Sequence, residues 1–117
     1  MVNNIEPNAS TTAGPLRSEF ANDPDMLELV ELFVEEMPGR IQEIDNALAA
    51  DDLFTLVRLA HQLKGAGGGY GFPTITALAR EVEEHARTAD DREALRRSIE
   101  ELTSLCRRAC ATPSETG

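Results

Sequence analysis

The stretch His61-Gln62-Leu63-Lys64-Gly65-Ala66-Gly67-Gly68-Gly69-Tyr70-Gly71-Phe72 gathers a histidine, a lysine and five glycines within one segment. Leu53, Leu56, Ala60, Leu63, Gly67 and Tyr70 recur at three- and four-residue steps, the spacing of an inward helical seam. Phe54, Val57, His61, Lys64, Gly65 and Gly68 then share the adjacent stripe, which turns toward solvent. A glycine inside a helix costs about 1 kcal/mol relative to alanine, so two of them in phase with a histidine suggest that room is needed beside the ring. Lys64 is the sole lysine beside ten arginines, and one turn beyond His61 its flexible ammonium can reach an anion held on the imidazole. An exposed ring nitrogen, open space and a nearby positive charge are what a histidine needs in order to hold a phosphoryl group transiently. The same glycines do not make a nucleotide loop. Neither G-x-x-x-x-G-K-[ST] nor G-x-G-x-x-G threads through 65–71, and no strand precedes them.

Positioning that stripe requires a scaffold, and helical periodicity supplies one. Asp23 and Pro24 give a cap and a first helical position, followed by apolar residues at Met26, Leu29, Val30, Phe33, Met37, Ile41, Ile44 and Leu48. Pro38 interrupts this run, yet the steps stay in phase across it, so one kinked helix over about 23–50 is expected. Asp51-Asp52 turns the chain into the helix that carries His61, and the glycine run leaves open where that helix ends. Gly71-Phe72-Pro73 opens a third helix with Ile75, Leu78, Val82 and Ala86 facing inward. Ala89-Asp90-Asp91 opens a fourth with Leu95, Ile99, Leu102, Cys106 and Ala109. Short connections between four helices imply an all-α, antiparallel up-down-up-down bundle. A short extra helix over 16–21 is expected to pack Leu16 and Phe20 onto it. Residues 1–15 read as a flexible leader, 16–111 as the bundle and 112–117 as a flexible tail.

Antiparallel neighbours joined near 71–72 bring His61 level with residues 81–83 of the next helix, and Glu83 suits that level. A carboxylate accepting from Nδ1–H would fix the tautomer and leave Nε2 as the nucleophile. His85 has no such company and reads as a solvated helix residue.

Composition narrows the partners. The 117 residues suffice for one core, and a formal charge of −10 disfavours nucleic-acid phosphates and anionic lipid. No segment reaches the span a bilayer requires, and the first residues lack a secretory pattern, so a cytoplasmic protein is expected. Cys106 and Cys110, at i and i+4 on an expected helix, read as small core residues rather than a disulfide. No set of metal ligands accompanies them, so no metal site is expected.

The run His61-x-Leu63-Lys64-Gly65-Ala66-x-Gly68-x-x-Gly71-Phe72 resembles the signature of histidine-containing phosphotransfer (HPt) domains of two-component phosphorelays. The likeness extends from about Leu16 to Cys110, through the mid-helix proline and the Asp-Asp turn. It implies that His61 is the phosphorylated residue, that Lys64 neutralises the phosphate, and that Gly65 and Gly68 let phosphate and partner approach. Glu83, 22 residues on, matches the Glu or Gln that bonds the imidazole. The Gly67-Gly68-Gly69 run is richer in glycine than the family pattern. The implied function is a phosphoryl carrier without its own ATP site or cofactor, passing phosphate between receiver-domain aspartates or from a sensor histidine kinase to one. The response-regulator receiver domain would bring the Mg²⁺, the carrier is expected to be monomeric, and Phe54, Val57 and Arg58 are candidate docking residues. A different reading of the same face is a helical adaptor that binds a receiver domain or kinase without phosphate.

Overall fold

The structure is a computed structural model and describes residues 14–111. The expected leader and tail, apart from Gly14 and Pro15, lie outside the described residues. In chain order the elements are β1 (Leu16–Arg17), α1 (Pro24–Ala49), α2 (Leu53–Gly69), α3 (Pro73–Thr88), α4 (Arg92–Arg108) and β2 (Ala109–Cys110). Three of the four helices start at an aspartate whose side chain accepts from a backbone N–H of the first turn: Asp23 from Asp25, Asp52 from Thr55 and Asp91 from Ala94. α3 has no side-chain cap and begins on Pro73, which has no N–H to satisfy. Asp51 and Ala89 adopt left-handed backbone angles, φ 56° and 55°, and these reverse the chain after α1 and α3. α1 runs without interruption through Pro38, as the in-phase apolar steps require.

Each helix packs on the next, and α1 packs on α4, which closes an all-α four-helix bundle. Its centre holds Val30, Phe33, Leu56, Leu63, Phe72, Ile75, Val82, Leu95, Ile99 and Leu102, all essentially withdrawn from water. Phe33 of α1 stacks on Tyr70 and tilts against Phe72, at centroid distances of 5.0 and 5.6 Å, fixing the α2–α3 turn against α1. No helix among the described residues is long and apolar enough to cross a membrane.

Three expectations are corrected. Residues 16–21 form no helix. Leu16 and Arg17 pair in parallel with Ala109 and Cys110, and the chain then turns through Ser18 to Ala21. The physical reason is competition for hydrogen bonds: the Ser18 hydroxyl accepts from Phe20 N–H at 2.9 Å, and Glu19 N–H donates to the Gly71 carbonyl at 2.8 Å. Cys110 consequently lies on β2 and not on a helix with Cys106, because the backbone extends at Ala109. Leu29 is 46% exposed although its spacing matched the core. It sits at the edge of the α1 stripe, on the flank away from Val30, where the neighbouring helices do not cover it.

Candidate functional site

The site lies on the α2–α3 hairpin, and a small residue sets how closely those helices approach. A Cβ at Gly67 would come within 2.9 Å of Thr76 Oγ1 and 3.2 Å of both Thr76 N and Ile75 Cγ2. Only glycine fits there without the helices moving apart. Thr76 also donates from its hydroxyl to the Lys64 carbonyl at 2.7 Å, tying α3 to the turn of α2 that follows His61. Gly65 and Gly68 are a different case. A Cβ at Gly65 would meet nothing, and one at Gly68 would make only ordinary contact, 3.5 Å from Thr76 Oγ1. Packing within the chain does not account for glycine at these two positions; both stand exposed on α2, which continues as helix to Gly69.

His61 projects outward, its side chain 63% exposed, and its Nδ1 lies 3.1 Å from Glu83 Oε2. Glu83 is only 4% exposed and collects two further partners: Lys64 Nζ at 2.8 Å from Oε1, and Arg87 Nη2 at 2.7 Å from Oε2. The Lys64 ammonium, then the Arg87 guanidinium and the imidazole, hold the Glu83 carboxyl down to about 2, against the opposing effect of burial. Glu83 is therefore an acceptor only, so the His61 nitrogen facing it must carry the hydrogen. In the neutral ring the lone pair is then on Nε2, the nitrogen not engaged by Glu83. The arrangement presents a nucleophilic nitrogen in open space with a fixed tautomer and two cations near by.

The structure thus brings together His61, Lys64 and Glu83, with Gly65 and Gly68 on the same exposed stripe. Phe54 is 80% exposed and Val57 half-buried on that stripe, whereas Arg58 borders the shallow cleft between α1 and α2 beside Glu43, Asn46 and Asp52. Arg87 and Thr76 were missed by sequence reasoning. Arg87 could have been found from its i, i+4 spacing to Glu83, whereas Thr76 had no signal beyond its level opposite Gly67. Among the described residues no group of three or more His, Cys, Asp or Glu is placed to hold a metal ion.

Comparison with curated proteins and with solved structures gave no match. The sequence profile of the Hpt domain matches residues 28–112, which takes in α1 from its second turn, all of α2 to α4 and every residue of the site. With that match over most of its length, the chain belongs to the Hpt domain family, whose members transfer phosphoryl groups through a histidine in phosphorelays.

Proposed function

We propose that this chain carries a phosphoryl group on His61 Nε2, exchanging it with the aspartate of a response-regulator receiver domain or accepting it from a sensor histidine kinase. The observation that carries this reading is the exposed His61 ring held at Nδ1 by a buried, ionised Glu83. The Nε2 lone pair attacks phosphorus, the Nε2–P bond forms, and the bond from phosphorus to the aspartyl oxygen breaks, its electron pair leaving with the carboxylate. The Nδ1 proton stays in place, and Glu83 stabilises the positive charge that develops on the ring. Catalysis rests on alignment and charge, and the receiver domain supplies the Mg²⁺ and its acidic pocket. Phe54 and Val57 offer an apolar contact beside the ring, and Gly65 and Gly68 leave the approach open. In this reading the carrier is a cytoplasmic monomer that does not phosphorylate itself.

Intact mass after incubation with phosphoramidate tests the acceptor. Wild type should gain one acid-labile phosphoryl group and His61→Ala none. A folded wild type that gains nothing from phosphoramidate or from a phosphorylated receiver domain overturns the reading and favours an adaptor that docks without phosphate.

A further inference from the structure

We propose that Arg87 is a positioning residue for phosphoryl transfer: it neutralises Glu83 so that Lys64 can leave that carboxylate for the phosphoryl group on His61. The inference rests on His61 being the acceptor. Its starting point is how one buried carboxylate divides its oxygens. Oε1 is bound by Lys64 at 2.8 Å, whereas Oε2 is shared by His61 Nδ1 and Arg87 Nη2 at 3.1 and 2.7 Å. Lys64 is therefore already engaged before any phosphate arrives. If it were the only cation on Glu83, its departure would leave a carboxylate 4% exposed to water with the imidazole N–H alone, and an under-compensated buried charge is costly. Arg87 removes that obstacle, because its contact is with the other oxygen and survives when Oε1 is vacated. The Lys64 backbone is held by Thr76, so the motion needed is confined to its four-carbon side chain.

Charge counting points the same way. Before transfer the neutral ring, Glu83, Lys64 and Arg87 together carry a single net positive charge, which attracts the incoming group. Transfer adds the PO₃ unit with one negative charge while the Nδ1 proton is retained, and the set becomes neutral. Without Arg87 it would begin neutral and end negative, with the phosphoryl oxygens and Glu83 competing for one ammonium.

The test uses phosphoramidate as donor, in which the P–N bond breaks and the nitrogen leaves as ammonia after taking up a proton. Because Lys64 is the sole lysine, ¹⁵Nζ-lysine labelling gives one side-chain ammonium signal. In wild type, phosphorylation should shift that signal as the ammonium exchanges Glu83 for the phosphoryl oxygens. In Arg87→Ala the signal should stay near its unphosphorylated position. The phosphohistidine lifetime should shorten roughly fivefold, toward that of Lys64→Ala. Arg87→Lys should restore both, and Arg87→Ala should have little further effect in a Glu83→Gln background. A lifetime and lysine signal unchanged by Arg87→Ala overturn the proposal. If wild type takes up no phosphate from phosphoramidate or from a phosphorylated receiver domain, the carrier reading fails by itself. The pairing is then judged from the Glu83 side-chain ¹³C titration, which must move upward in Arg87→Ala and overturns the proposal if it does not.

Discussion

Glu83 shows how one buried side chain can tie chemistry to stability. Its carboxyl is held down to about 2 by Lys64, Arg87 and His61, whereas in the unfolded chain it would titrate near its ordinary 4.5. The unfolded state therefore takes up the proton first as pH falls. The ion-pair contribution is complete above about pH 4.5 and drains away as pH drops toward about 2. Glu83→Gln should cost about 2 kcal/mol near neutral pH, as expected for hydrogen bonds to a charged group, and the difference from wild type should shrink across that acid window. Urea melts of both proteins at several pH values check this; a pH-independent difference would mean that the carboxylate charge contributes nothing to stability. Much of the site was readable in advance. The helical phase put His61, Lys64, Gly65 and Gly68 on one stripe, and the position of the turn put Glu83 level with the histidine. Arg87 escaped because an arginine i+4 to a glutamate is common on solvated helix faces, and only the burial of Glu83 distinguishes this pair.

At the scale of the helix pair, the glycines divide into two kinds with opposite expected effects. Gly67 faces Thr76 and Ile75 so closely that an added methyl must push α2 from α3, whereas Gly65 faces open space. Gly67→Ala should destabilise by about 1–3 kcal/mol despite its better helix propensity, because the neighbours to be displaced include the Thr76 backbone nitrogen. Gly65→Ala should stabilise by up to about 1 kcal/mol and still slow transfer from a receiver domain, since it narrows the space beside His61. Thermal melts paired with a receiver-transfer assay separate the two. Faster or unchanged transfer in Gly65→Ala would assign that glycine no role in approach. The start of each helix was readable from sequence, since aspartate caps and first-position prolines act locally. Leu29 was not, because periodicity records which face a residue occupies but not how far a neighbouring helix extends to cover it.

Across the whole molecule, the chain segment before α1 fastens the end of α4 to the α2–α3 turn below the site. β1 pairs with β2 just after α4, and Arg108 Nη1 donates to the Gly14 carbonyl at 3.1 Å. The buried Ser18 hydroxyl donates to the Tyr70 carbonyl at 2.6 Å, and Glu19 N–H reaches the Gly71 carbonyl. Such pairings join residues more than fifty positions apart and leave no local pattern in the sequence, which is why a helix was expected there. Gly71 is the hinge of this contact: its φ of 88° suits glycine, and a Cβ would collide with Ser18 Oγ and stand 2.9 Å from Glu19 N. Gly71→Ala should therefore cost about 2 kcal/mol or more, and Ser18→Ala about 1 kcal/mol. The double variant should cost less than their sum, because once the segment has lifted from the turn the serine has nothing left to lose. Among the described residues the contacts that hold His61 come from α2 and α3, so hydrogen exchange should rise over residues 16–20 and 69–72 in these variants while the amides around His61 and Glu83 keep their protection relative to global stability. Strict additivity of the two costs would show that Ser18 and Gly71 act independently, and that the segment is not fastened through their contact.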